Sequence, residues 1–511
     1  MAWSVLLQLV GAKGGGRRGM PRGQKNPVVI IGAGPAGLTA AYELCRAKRP
    51  VTVVEQDPQY VGGIARTVCY KGFRFDIGGH RFFSKNPEIE KLWTEILGDR
   101  MLVRDRLSRI YYRGRFFKYP LEVRNVLGNL GAVESMACLS SYCAARLKRR
   151  TEIRSFEQWV TNAFGRRLYE TFFRSYTEKV WGMPCSEISA DWAAQRIKDL
   201  SMLALIKRAL SSGSKNGGPV IKTLIDRFRY PAHGPGEMWQ TLRTKIEERG
   251  AMVQMGESVV SIRRANGAVI SVATEGAGGR RAHSGSDFIS TMPIRQLVCA
   301  LQPSAPAEVV EAARSLKYRD FITAALIIDQ ADVFPDQWIY IHDPAVKVGR
   351  IQNFKNWSAA MVPDPRYTVL GLEYFCFDSD SVWTAPDTEL IAMARRELAQ
   401  LGLCDEAKVV DGTIVRQRAA YPVYDTGYRH AIAAIRDFIA RELPNLQLVG
   451  RNGMHKYDNQ DHAMMTGLMA AWNIIGGSYD PWRVNSDALY LEEEADGEGG
   501  RMVPRRTEAA A

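Results

Sequence analysis

Glycines at 32, 34 and 37, followed by a glutamate at 55, have the spacing in this chain that most directly implies chemistry. In Gly32-Ala33-Gly34-Pro35-Ala36-Gly37, Gly32 permits a tight turn and Gly34 lets the backbone approach a pyrophosphate. Gly37 lets the following helix pack closely on the preceding strand. A helix beginning at Pro35 and Ala36 offers free N–H groups and a positive dipole end to phosphates. Glu55, about 20 residues on, is placed to accept hydrogen bonds from a ribose hydroxyl. The set reads as a dinucleotide site. Other residues with chemical potential are Gly62, Gly63 and Arg66, then Gly78-Gly79-His80, Trp181, Arg319, Gly450-Arg451 and Tyr457.

The elements needed to hold these groups are legible around them. Residues 28–31 are a β-branched run that suits a buried parallel strand. An Ala- and Leu-rich helix is predicted to about residue 47, and a second strand over 51–54 ends at Glu55. An alternating strand over 73–77 delivers the Gly78-Gly79-His80 turn. Residues 258–262, with Val259, are predicted as a strand returning to the cofactor domain, and 287–293 as a further strand and turn. Near the C-terminus a short apolar strand over 446–449 meets Gly450-Arg451, and a helix of small apolar residues over 461–475 follows, with Asp461 as its expected cap.

The order GxGxxG, Glu55, Gly62-Gly63, Arg66, then Asp76-Ile77-Gly78-Gly79-His80 resembles the FAD-binding superfamily of amine oxidases, protoporphyrinogen oxidase, carotenoid desaturases and UDP-galactopyranose mutase. The resemblance implies FAD as cofactor, Gly62, Gly63 and Arg66 along the dinucleotide, and Gly79 and His80 near the flavin. It also implies that Gly450 and Arg451 close the site, the guanidinium forking onto phosphate oxygens.

Ser175-Tyr176-Thr177-Glu178-Lys179-Val180-Trp181-Gly182 is similar to the mutase signature YTxKxWG, and Tyr318-Arg319 to a YR-containing strand of that family. Gly450-Arg451-Asn452-Gly453 with Tyr457 and Asp461 is similar to its GRLGxYRYxDMD element. The resemblance thus spreads over most of residues 26–477. It implies reduced flavin acting as a nucleophile on a nucleotide-linked or lipid-linked sugar. Trp181 would pack on substrate, Arg319 would hold a diphosphate and Tyr457 would touch phosphate. Three departures point away from UDP-galactose itself: Phe83 replaces the last His of GxHxFH, His455 replaces a tyrosine, and only Arg196 fits the pair of arginines expected after the Trp-Gly step. The alternative is an oxidoreductase taking hydride from an amine, porphyrinogen or polyene, a branch that Gly234–Trp239 and Ser290–Pro293 fit as well.

Composition bounds the rest. A chain of 511 residues with 46% hydrophobic and 24% charged residues is globular and long enough for two or three domains. The expected fold is α/β: a Rossmann-type, GR2-like FAD domain with an inserted α+β substrate domain. Its boundaries are expected at 1–25 (flexible extension), 26–85, 226–300 and 431–490 (FAD domain), 86–225 (mainly helical cap), 301–430 (substrate sheet) and 491–511 (disordered tail). Residues 211–218 read as a flexible loop. Part of the net charge of +13 sits in the first 25 residues and part around Arg146 to Arg154. It reads first as a solvated tail and helix face, and second as attraction to an anion, a phosphorylated or nucleotide-linked small molecule or anionic lipid, with nucleic acid last because no nucleic-acid motif accompanies it. Eight cysteines without a CxxC pair read as buried, reduced thiols, with no metal site. With no apolar run of about 18 residues, a cytoplasmic protein is expected, peripheral membrane contact and oligomeric state being left open.

Overall fold

The computed structural model describes residues 26–119, 123–147, 152–190, 192 and 227–485. The predicted N-terminal extension, the 211–218 loop, Arg196, the cations at 148–150 and the C-terminal tail lie outside the described residues.

Five parallel strands form the first sheet, in the order Leu446–Leu448, Asp287–Ser290, Val28–Ile31, Val51–Glu55, Met252–Met255. Val28 to Ile31 are buried on both faces, which is why this strand is an unbroken apolar run. Helices Pro35–Arg46, Gly236–Glu247 and Gln460–Ile474 cover one face, and Trp93, Trp239, Leu242 and Met469 fill the contact. Helices Ile294–Cys299, Ala307–Ser315 and Tyr428–Glu442 cover the other.

A seven-stranded sheet runs Val409–Pro422, Tyr318–Ile328, Thr368–Cys376, Arg350–Asn353, Trp338–Ile341, Ser108–Tyr112, Arg115–Lys118. All its pairings are antiparallel except Trp338–Ile341 beside Ser108–Tyr112. Against it pack helices Phe156–Phe164 and Ser175–Trp181. The architecture is the expected Rossmann-type domain with an α+β partner.

Several local expectations change. The strand that returns to the parallel sheet is Met252–Met255, not 258–262. The turn at Gly256 and Glu257 redirects the chain, and Ser258–Ala265 joins a separate four-stranded sheet. Among the described residues of 86–225, expected as mainly helical, Met101–Asp105, Ser108–Tyr112 and Arg115–Lys118 are strands beside the helices. Alternation there (Ser108 and Ile110 buried, Arg109 between them partly exposed) follows the pleat rather than a helix period. The last helix is capped by Asn459 and His462, with Asp461 at its second position. Cys45, Cys138, Cys185 and Cys376 are buried as expected, but Cys69, Cys143 and Cys299 are exposed.

Candidate active site

A cavity of about 370 Å³ runs from the C-terminal edge of the parallel sheet to the seven-stranded sheet. At its first end the helix Pro35–Arg46 starts at Gly34 with no side chain capping its amides. Gly32, Gly34, Pro35 and Ala36 line the wall. A Cβ on Gly37 would lie 2.0 Å from the Gly32 carbonyl oxygen, so this glycine is what allows helix and turn to touch. A Cβ on Gly34 would meet no protein atom within 4 Å, because the space beside it is the cavity. Glu55 lies buried on the same wall, its Oε2 accepting from the Ala33 N–H at 2.6 Å and its Oε1 from Asp57 at 2.9 Å. Burial raises its pKa. Val259, Gly63 and Gly450 complete this end.

Gly62 stands behind the wall at φ +103, where a Cβ would meet Trp239 at 2.6 Å. Arg66 is not on the cavity wall. Its Nη1 donates to the Gly63 carbonyl at 2.9 Å and to Gln417 at 2.5 Å, and it lies 3.8 Å from Asp57. It therefore fixes the Gly63 turn rather than facing the cavity.

At the other end Gly79 and His80 face Arg350, Arg451, Tyr421 and Tyr457. His80 Nε2 lies 2.9 Å from the Ile77 carbonyl. Its pKa falls to about 4, first through burial, then through the nearby Arg451 and Arg350. Arg451 donates to the carbonyls of Asp458 at 2.9 Å and Ala420 at 3.1 Å, and its guanidinium sits 4.8 Å from the Tyr457 ring centre. Tyr457 stacks on Tyr421, centroids 5.6 Å apart and 16° from parallel. Arg350 pairs with Glu373, which is wholly buried and also accepts from Gln352 at 2.9 Å. Burial raises the Glu373 pKa and the arginine pulls against that rise. The arrangement offers guanidinium groups and aromatic faces together, a surface suited to a phosphorylated, ring-bearing ligand.

Two expected substrate contacts are not brought to this cavity. Trp181 is 2% exposed and packs edge-on to Trp192 at 4.7 Å, one layer behind Tyr421 and Tyr457. Arg319 is 3% exposed and donates to the carbonyls of Val180 at 3.0 Å, Lys179 at 3.3 Å and Phe375 at 2.8 Å. It satisfies the orphan carbonyls ending the helix Ser175–Trp181. Lys179 of the same motif is likewise committed, donating to the carbonyls of Ile341, Asp343 and Val348 at 2.8–3.2 Å. Sequence reasoning missed Arg350, Glu373 and Tyr421. The available signal was Glu373, a carboxylate inside the apolar run Thr368–Cys376, which must have a cation opposite it.

FAD fits these residues: an uncapped helix start bordered by glycine for a pyrophosphate, a carboxylate within the same wall for ribose, and His80 with Gly79 at the opposite end. Bound there, the flavin supplies two-electron redox or nucleophilic chemistry.

The family described as flavin containing amine oxidoreductase matches residues 35–475. Coproporphyrinogen III oxidase of Mycobacterium leprae (strain TN) is 24% identical over 443 residues, covering 80% of this chain and 90% of that protein. The dTDP-fucopyranose mutase of Escherichia coli is 27% identical over 178 residues, 32% of this chain and 44% of its own length. A reduced UDP-galactopyranose mutase shares the fold with a TM-score of 0.75 at 22% identity, over 88% of this chain and 94% of that one.

Proposed function

Since the chain belongs to the flavin containing amine oxidoreductase family, and is therefore an FAD-dependent enzyme, we propose that it acts as a mutase-like flavoenzyme on a nucleotide-linked or lipid-linked sugar. The observation carrying this reading is the far end of the cavity, where Arg350 and Arg451 stand among Tyr340, Tyr421 and Tyr457. Guanidinium groups fork onto phosphate oxygens, and aromatic faces pack on sugar or base rings. An enzyme taking hydride from a polyene would need carbon-lined walls there instead.

In this reading FAD, held by the start of the helix Pro35–Arg46, by Glu55 and by the Gly79-His80 turn, would when reduced supply nucleophilic chemistry towards a sugar phosphate. Arg350 and Arg451 hold the departing phosphate, Arg350 being aimed by Glu373 and Arg451 by the Asp458 and Ala420 carbonyls. Tyr457 flanks that phosphate, and neutral His80 offers a hydrogen bond beside the flavin. Trp181 and Arg319 support the wall from behind.

The second reading, oxidation of a porphyrinogen-like or amine substrate, draws on the longer alignment with coproporphyrinogen III oxidase. Dithionite-reduced enzyme incubated with UDP-galactopyranose separates the two. A furanose product formed only after reduction supports the mutase reading. Turnover of a porphyrinogen or amine dependent on an electron acceptor, with no binding of any nucleotide sugar, would overturn it.

A further inference from the structure

The helix Ala132–Leu147 buries one side only. Cys138 and Tyr142 are buried, and the helix rests on Phe156–Phe164 and Arg166–Leu168. The opposite side carries Val133 (79% exposed), Met136 (64%), Leu139 (53%) and Leu147 (88%), with exposed Cys143 among them. At about 100° per residue these five fall within an arc of about 120°, so they form one continuous ridge about 20 Å long. Four of the eleven exposed large apolar side chains among the described residues sit on this helix. Such a concentration is not the scattered surface hydrophobicity of an ordinary globular face.

The charges at its ends indicate what covers it. Arg146, exposed in the last turn, lies over the Tyr142 ring at 5.2 Å. At the other end Arg115 donates to the Asn129 carbonyl, and Arg113 lies near Glu134. Glu134 is itself gripped by Arg167, with donors at 2.6 and 2.8 Å. A lipophilic row flanked at both ends by arginines, its one carboxylate neutralised, matches an anionic lipid surface: apolar side chains reach the acyl boundary while guanidinium groups meet headgroup phosphates. Among the described residues no helix is long and apolar enough to cross a membrane, so the helix would lie in the interface plane.

We propose that Ala132–Leu147 docks the protein peripherally on an anionic bilayer through Val133, Met136, Leu139 and Leu147. The inference is independent of the reaction assigned to the cavity.

The FAD-loaded protein is sedimented with vesicles of phosphatidylcholine and phosphatidylglycerol, and with vesicles of phosphatidylcholine alone. The expected result is binding to the anionic vesicles, weakened by salt. A Met136→Glu/Leu139→Glu double variant should bind at least about tenfold more weakly, since each lost apolar contact is worth about a factor of ten. Both sites are exposed, so flavin content reports whether the variant has folded. A Met136→Trp variant provides a gain of signal, its fluorescence being quenched by brominated lipid. Absence of binding to anionic vesicles overturns the proposal. So does binding that the double variant retains, or self-association of the free protein that the double variant abolishes while vesicle binding is absent, which would make the ridge an interface between copies.

Discussion

Arg319 donates through its Nε to the Val180 carbonyl at 3.0 Å, and so closes the helix on which Trp181 is the last residue. The fit is tight: a Cβ on Gly182 would sit 2.4 Å from the Arg319 guanidinium. Removing the guanidinium takes its donors from the partly buried carbonyls of Val180, Lys179 and Phe375. Arg319→Ala is therefore expected to cost about 3 kcal/mol or more in stability, while the remaining folded fraction keeps its ligand affinity. Urea unfolding beside ligand titration checks this. Unchanged stability with lost nucleotide-sugar binding would return Arg319 to the substrate.

Gly34 and Gly37 separate binding from folding. The Cβ of a Gly34→Val variant enters the cavity without meeting protein, so the variant should fold and purify colourless. In Gly37→Ala the new methyl collides with the Gly32 carbonyl at 2.0 Å, and the helix must move off the strand. That variant should lose stability by about 2 kcal/mol or more even without cofactor. Circular dichroism melts and flavin absorbance, measured together, distinguish the two outcomes. Equal flavin content in Gly34→Val and the parent would contradict the placement of the pyrophosphate.

The legible and illegible parts of this site differ in the sequence distance over which they are built. The glycine turn, its helix and Glu55 lie within thirty residues, and each has a local reason to be what it is. Arg350 meets Glu373 only because Arg350–Asn353 pairs with Thr368–Cys376 in a register that sets these two opposite each other. Nothing near Arg350 announces that register. Trp181 and Arg319 were visible as a motif, but a motif reports position in the chain, not whether a side chain faces ligand or the layer behind it. The misplaced returning strand has the same origin: residues 252–255 and 258–262 are both β-like, and pairing with Thr52 to Glu55 decides between them.

His80 should stay uncharged across the physiological range. Burial and the two guanidinium groups lower its pKa from 6.5 to about 4, so the folded protein binds this proton less readily than the unfolded chain. Its contribution to stability is present at neutral pH and is lost as pH falls from 6.5 towards about 4. NMR of histidine-labelled, flavin-stripped protein should show the His80 ring shifts flat above pH of about 5. In Arg451→Gln the midpoint should move up, because one opposing charge has gone. A midpoint near 6.5 in the parent would mean that the ring is neither buried nor faced by the arginines, and a midpoint unmoved in Arg451→Gln that Arg451 does not act on it.

Asp76 makes the opposite prediction. It is fully buried, accepts from Tyr230 Oη at 2.5 Å and Thr67 Oγ1 at 2.7 Å, and burial raises its pKa from 3.8 to about 7 despite those two donors. The folded protein thus retains a proton that the unfolded chain releases, and the stability this provides is lost as pH rises through about 7. Asp461, raised to about 7 by burial, adds a slope of the same sign, so the wild-type curve alone cannot identify Asp76. Comparison with Asp76→Asn cancels the Asp461 contribution. The amide keeps the shape and one acceptor but never ionises, so its unfolding midpoint in urea should fall less than that of the parent between pH of about 5 and 8. Parallel falls in the two proteins would show that Asp76 is already ionised at the lower pH.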